Sequence, residues 1–425
     1  MPLRRRAALV LAAVTSLTAL TAPLALADTT PQAATGTAQA PAPPSRGDLY
    51  GTADPTYDGV WRQAYAEKAI STSGYVVGAA ATRWLLAQQC ADGGWPSYRA
   101  DTAKACDPKT EDTNATGMAL NALVVVRGAG TSEALERGQA WLRTVQNADG
   151  GWSYNPGGAS DPDSTAIALG ALGKDAAGTP NAKGKTSYAA LRGFQFGCAA
   201  KAADRGAFGY PGTDGKLKAN AKATADAING LVQGHLTGYT YDKPSTTTPA
   251  AAPKPADCDT DAKAYDSLDA NGAANAAADW LVAQLRAGGG HLNAVTPGAD
   301  TPTPDYGTTA DAVAALDGIG RSADAKAAAD WLAADSAAWS KGNPAALAQL
   351  IMAGAGRTGA VDGPLQQLIA LGPAATKRAT GAMPGAEEKK DDSSSGSTTW
   401  IVVGVVFVAS AGVGLLISGR KRRQG

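Results

Sequence analysis

Phenylalanine is nearly absent, with 4 in 425 residues, and histidine is reduced to His235 and His291. Two imidazoles exclude a His-rich metal centre, and the shortage of Phe leaves Ala, Leu, Val and Trp to build a core. Net charge is missing too. Thirty-eight Lys+Arg cancel 38 Asp+Glu, so no global basic field recruits nucleic acid and no such partner is expected. The 4 Cys include no C-x-x-C pair, which argues against a zinc or dithiol motif. What is present suffices for a fold: 44 % of the residues are apolar, too many for a disordered chain.

The two ends read as an address. Arg4, Arg5 and Arg6, an apolar run over 7–20 and Ala25-Leu26-Ala27 have the layout of a cleaved export signal over 1–27. Residues 400–418 carry no charge and would span about 28 Å as a helix. Arg420, Lys421, Arg422 and Arg423 follow, which keeps the tail 419–425 in the cytoplasm. The expectation is therefore a single-pass anchor at the cell membrane. The domain lies outside, and a polar spacer (376–399) and an N-terminal linker (28–57) flank the body at 58–375. No Leu-Pro-x-Thr-Gly precedes the apolar stretch, so a membrane anchor is expected in place of sortase-type wall attachment. An oxidising address suits disulfides. Cys90 and Cys106 enclose fifteen residues and leave Cys198 with Cys258; three pairings are open, and sequence does not choose among them.

The body repeats itself. Trp84-Leu85-Leu86 leads to Gln89-Cys90-Ala91-Asp92-Gly93-Gly94-Trp95, and fifty-seven residues later Trp141-Leu142-Arg143 leads to Gln146-Asn147-Ala148-Asp149-Gly150-Gly151-Trp152. A looser copy holds Phe194 and Phe208, a fourth Trp280 and His291, a fifth Trp331 and Trp339. After each comes an Ala- and Gly-rich segment with apolar residues at i, i+4 and i+7, such as 116–123, 165–172, 224–231 and 309–316, which marks a second helix. Each unit reads as helix, Gly-rich turn, helix. The Asp-Gly-Gly is expected to end the first helix. Asp112, Asp163 and Asp305 stand before the second helices, with Thr113 and Ser164 as N-caps. Hairpins of this kind must stack on neighbours to bury their apolar faces. The expected fold is all-α, a closed α/α toroid of five units. A sixth is suggested by Asp58-Gly59-Val60-Trp61, and a surface linker is expected over 238–263.

The Gln-x-x-Asp-Gly-Gly-Trp strings at 89–95 and 146–152 resemble the repeats of the prenyltransferase and squalene cyclase superfamily, an α/α toroid. The resemblance implies that Gln89, Trp95, Gln146 and Trp152 are structural, with each Trp stacked on the Gln of its motif at the periphery. The toroid also resembles vitamin-B12 carriers of the intrinsic factor and transcobalamin type. The superfamily's catalytic signatures are not matched. Class II cyclases use an Asp-x-Asp-Asp acid, whereas Asp161-Pro162-Asp163-Ser164 and Asp257-Cys258-Asp259-Thr260-Asp261 each lack the adjacent pair. No Asp, Cys and His set suits the zinc of protein prenyltransferases, and Gly197-Cys198-Ala199-Ala200 departs from a thioester motif. No catalytic residue and no metal is assigned from sequence.

Binding is the reading that remains. If helices alternate outer and inner, the second-helix N-termini share one rim, with their amides exposed. Tyr98, Asp112, Tyr154, Asp163, Tyr210, Asp226, His291, Asp305 and Tyr306 would gather there and take a neutral or cationic small molecule. The expected function is capture of a small ligand near the membrane. A corrinoid passed to a membrane importer is its most concrete form, with His291 able to reach the cobalt, and no other cofactor is implied. The alternatives are a cyclase- or prenyltransferase-like enzyme, a polysaccharide-processing enzyme on the same fold, or a surface interaction protein.

Overall fold

The computed structural model describes residues 48–379, apart from 174, 175, 177, 213, 233–255, 295–300, 356 and 358. The export signal, the anchor at 400–418, most of the 238–263 linker and His235 lie outside the described residues. Among the described residues no helix is long and apolar enough to cross a membrane.

Helices dominate: α1 (Gly59–Thr72), α2 (Ala79–Ala87), α3 (Thr113–Val126), α4 (Thr131–Thr144), α5 (Pro162–Leu172), α6 (Ser187–Arg192), α7 (Ala221–Val232), α8 (Ala270–Ala287), α9 (Tyr306–Gly318), α10 (Ser322–Asp335), α11 (Ala337–Ser340), α12 (Pro344–Gly354) and α13 (Asp362–Ile369). Six of them form a closed inner ring. α1 packs on α3, α3 on α5, α5 on α7, α7 on α9, α9 on α12, and α12 returns to α1. α2, α4, α6, α8, α10 and α13 lie outside it. This is an α/α toroid of six units, and α1, the helix begun by the stray Asp-Gly-Val-Trp, closes it.

Small residues permit the close approach of the inner helices. A Cβ on Gly117 of α3 would stand 2.5 Å from Ile167 of α5, and one on Gly230 of α7 would stand 2.8 Å from Ala166.

One polar device recurs at the start of the inner helices. Asp112, Asp161, Asn220, Asp305 and Asn343 each cap a helix by accepting the backbone N–H three residues on, at 2.8 Å for Asp161 and 2.9 Å for Asn220 and Asp305. Four residues after four of these caps stands a buried Thr. Thr116, Thr165, Thr224 and Thr309 accept the N–H of Trp95, Trp152, Phe208 and Leu292 at 2.9–3.0 Å. Each turn is thereby pinned to its own inner helix. A Gln then pins it to the next unit: Gln89 donates to the carbonyls of Gly93 and Ala134, and Gln195 to those of Gly206 and Ala273. Gln146 donates to the Gly150 carbonyl and the Ser187 hydroxyl.

Several details differ from the sequence reading. The glycines of Asp-Gly-Gly do not end the first helix. α2 stops at Ala87 and α4 at Thr144, well before Gly93 (φ +111°) and Gly150 (φ +93°). These glycines are required where the next outer helix begins or passes, since a Cβ on Gly93 would meet the Arg137 carbonyl at 2.4 Å. Nor are Thr113 and Ser164 the caps. Thr113 donates to the Ser153 carbonyl of the neighbouring unit, while Ser164 gives both its N–H and its hydroxyl to Asp161. Trp95 and Trp152 are buried among the outer helices, where their indoles donate to the carbonyls of Leu85 of α2 and Leu142 of α4. The disulfides are Cys90–Cys106 and Cys198–Cys258.

The domain also runs past 58–375 at both ends. Tyr50 is fully buried, donates its N–H to Gln63 Oε1, and packs on Gly372. A two-residue strand Tyr75–Val76 pairs antiparallel with Thr376–Lys377. Glu67 is buried in the same region, with Gln63 and Thr82 donating to its carboxylate at 3.2 and 3.1 Å. Burial outweighs these bonds and pushes its pKa up to about 8.

Two outcomes follow. Thr165→Val leaves the buried Trp152 N–H without an acceptor, so it should cost about 1–3 kcal/mol, read as a lower urea midpoint at unchanged slope. For Glu67, the raised folded pKa means that stability present below pH 4.5 is lost as pH rises through about 8. Glu67→Gln should therefore gain stability over the native chain progressively across that window, with no gap at its acid end; parallel pH curves would contradict this.

Candidate functional site

The closed ring leaves a hollow on its axis, and the cap register explains which side chains reach it. Counting six residues from each cap gives Met118, Ile167, Asp226, Asp311 and Gln349; counting nine gives Asn121, Gly170, Asn229, Ala314 and Met352. α1 starts after Asp58 without a side-chain cap and brings Tyr65 and Lys68 to the axis, one position out of that register. All of these but Gln349 and Gly170 line the hollow, together with Trp61, Ala166, Lys222 and Gly318. Gln349 instead donates to Asp311 at 3.1 Å. Two layers of axis-facing residues are thus stacked about one helical turn apart. The hollow offers about 90 Å³ to the centres of waters, room for roughly half a dozen of them.

The upper layer carries charge. Lys222 Nζ contacts Asp226 Oδ2 and lies 3.6 Å from Asp311 Oδ2. The Lys222 side chain is 37 % exposed and the two carboxylates 10 % and 11 %, so this end is the mouth. Asp163, in the first turn of α5 and one turn before Ile167, sits beside the cluster and senses Asp226, Lys222 and Asp311 electrostatically. Its Oδ1 is buried with no hydrogen-bond partner among the described residues. Burial first, then the charge of Asp226, pushes the Asp163 carboxyl up to about 7. Asp226 is raised as well, by burial and by Asp311, against the pull of Lys222. Burial works against the Lys222 ammonium, but the three carboxylates outweigh it and hold it charged. Tyr65 faces the same group, and its phenol is raised by burial, Asp311 and Asp226. One cation among three carboxylates leaves an excess of negative charge, which favours the protonated form of Asp163.

The sequence-predicted residues divide between three places. Asp226 lines the hollow, Asp163 stands beside it within electrostatic reach and is not one of the lining residues, and Tyr210, 38 % exposed, stands near Asp161 and Asp163. Asp112 and Asp305 are occupied as caps, and Asp112 also accepts from Ser97 at 3.0 Å. Tyr98 stacks on Trp84, 6.4 Å between ring centroids, while Tyr154, 48 % exposed, lies near Asp112. His291 and Tyr306 are elsewhere: both rings pack on Trp331, at 4.6 and 4.7 Å, and Tyr306 also stacks on Trp339. Neither lines the hollow. The nine residues therefore do not form one ring around a rim. Sequence reasoning missed Lys222, Asp311, Tyr65 and Lys68. The cap register signals Asp311, six residues past Asp305; Lys222 stands two residues past Asn220, and Tyr65 and Lys68 follow no such count.

No protein-family model matches the chain. Forty-nine residues, 12 % of this chain and 9 % of the relative, are 51 % identical to a drimenyl diphosphate synthase of Streptantibioticus cattleyicolor. The match thus spans under a tenth of that protein's length. Among solved structures, a protein from Actinoplanes has a TM-score of 0.38 at 17 % identity, covering 67 % of this chain and 73 % of its own. A type II terpene cyclase from Scytonema, bound to geranylgeranyl dihydroxybenzoate, has a TM-score of 0.38 at 17 % identity, covering 69 % and 74 %. Structural likeness this slight carries no functional argument.

Proposed function

We propose that this α/α toroid is an enzyme that protonates an unsaturated apolar substrate in its central hollow, the opening step of terpene-type cyclisation. The observation that carries the reading is Asp163: a part-buried carboxyl whose buried Oδ1 has no partner, with its pKa pushed up to about 7, beside the charged residues of a hollow walled by Trp61, Tyr65, Met118 and Ile167. An acid of this kind needs neighbouring carboxylates, and they need not be adjacent in sequence. Asp161 is spent as the helix cap, while Asp226 and Asp311 approach from two other helices. In the step proposed, the Asp163 proton passes to an alkene carbon and the carboxylate left behind faces the new carbocation. The aromatic faces of Trp61 and Tyr65 favour that cation. Solvent at the Lys222 end returns the proton. The 51 % identity over 49 residues with a protein named drimenyl diphosphate synthase supports this chemistry over the others considered.

Capture without turnover is the second reading, and it uses the same hollow. Its corrinoid form, with an importer as partner and a membrane tether, stays a proposal from the sequence.

The purified chain should convert a member of a linear polyprenyl panel (squalene, farnesyl and geranylgeranyl diphosphates) to a cyclic product resolved by gas chromatography with mass detection. Asp163→Asn should reduce that turnover by about 100-fold or more without lowering the melting temperature much. The native rate should fall as pH rises through about 7, where the acid form is lost. An Asp163→Asn protein of unchanged rate would remove Asp163 from the chemistry.

A further inference from the structure

The lower layer of the hollow has a feature that proton donation does not use. Lys68 follows Tyr65 by one helical turn on the axis-facing side of α1 and lies deeper than the mouth cluster. It is only 4 % exposed and lines the hollow. Among the described residues its ammonium has neither an ion pair nor a hydrogen bond. Glu67, its neighbour in sequence, faces the other way and is held by Gln63 and Thr82.

The groups facing Lys68 are known from every inner helix. Asn121 of α3 and Asn229 of α7 share its layer, and Met118 and Met352 are apolar. Asp226, Lys222 and Asp311 stand a layer above and pair with one another. Asn121 uses one amide hydrogen on the Gly117 carbonyl at 2.9 Å, and Asn229 makes no hydrogen bond among the described residues. A buried, unpaired ammonium destabilises a fold, and Leu or Met in its place would be cheaper. Such a group makes sense when a ligand supplies the missing charge.

We infer that Lys68, with Asn121 and Asn229, forms an anion subsite at the closed end of the hollow that takes the carboxylate of a small apolar monocarboxylic acid. One ammonium and two carboxamides match one carboxylate in charge and in donor number. They are too few for a diphosphate. The apolar walls, with Ala314 in the same layer and Trp61 and Ile167 lining the hollow as well, suit a short hydrocarbon tail. The subsite rests on the hollow alone and does not need Asp163 to react.

Burial holds the Lys68 pKa down at about 8, which sets the sign of the pH dependence. At pH 7 the ammonium is mostly charged and at pH 9 mostly not, so an anion should bind roughly tenfold more weakly at pH 9. Octanoate is the probe, octan-1-ol its neutral control, and isothermal titration of the whole protein the readout. The native chain should bind octanoate at pH 7, weaken about tenfold by pH 9, and show no such change with octan-1-ol; the Asp163→Asn chain, which cannot gain charge at that position, should show the same tenfold weakening of octanoate. Lys68→Met should lose at least tenfold in octanoate affinity, keep octan-1-ol, and melt no lower than the native chain, since it sheds an unpaired charge. Asp163→Asn should keep octanoate binding, which separates this subsite from the proton-donor reading. Octanoate bound equally by Lys68→Met, or not bound by the native chain at pH 7, would overturn the assignment.

Discussion

Closure of α12 onto α1 is the contact on which the rest of the molecule depends. No single hairpin here buries its own apolar face, and a row of them would leave two faces bare. Bending the row until its ends meet removes both. The cost is a seam between the beginning and the end of the chain, and the structure seals it with Tyr50, Gln63 and the short pairing of residues 75–76 with 376–377. The gain is geometric. Six inner helices, five of them begun by a side-chain cap, present residues to a common axis in stacked layers, and those layers belong to no single helix.

Charge on that axis has no easy escape. Lys222, Asp226 and Asp311 reach the mouth from two helices and Asp163 stands beside them from a third. Water reaches Lys222 and little of the carboxylates. With solvent thinned out, like charges repel at a strength they would not have at the surface. The cluster relieves itself by keeping a proton, and Asp163, whose Oδ1 has no donor to stabilise an anion, is where burial and neighbours concentrate the effect. Below it, Lys68 is the opposite case, a buried cation without a paired carboxylate, whose pKa burial lowers. The hollow is therefore polarised along its length.

Much of the architecture was legible because it repeats. The Trp spacing, the Asp-Gly-Gly turns and the Ala-rich second helices announce paired helices, and the capping Asp at 112 and 305 is readable one unit at a time. Details set by contact between units were not. Gly93 looks like a helix terminator until the Arg137 carbonyl is seen against it. Asp161 and Asp163 are two residues apart and chemically alike, yet one caps and the other faces the charge cluster. Only the register of the helix start distinguishes them. His291 drew attention as a replacement for Trp, and it does what a ring in that slot does, packing on Trp331. The partners that define the site, Lys222 and Asp311, carry no motif. Their meaning comes from two helices meeting across a ring, which spacing along one chain does not display.

The central claim is that three carboxylates and one ammonium at the mouth retain a proton near neutrality. Carboxyl carbons labelled through ¹³C-aspartate and followed by NMR from acid to alkaline pH test it most directly. The account predicts one aspartate resonance that titrates near pH 7 and disappears in Asp163→Asn. Every aspartate carboxyl titrating below pH 5 would contradict it.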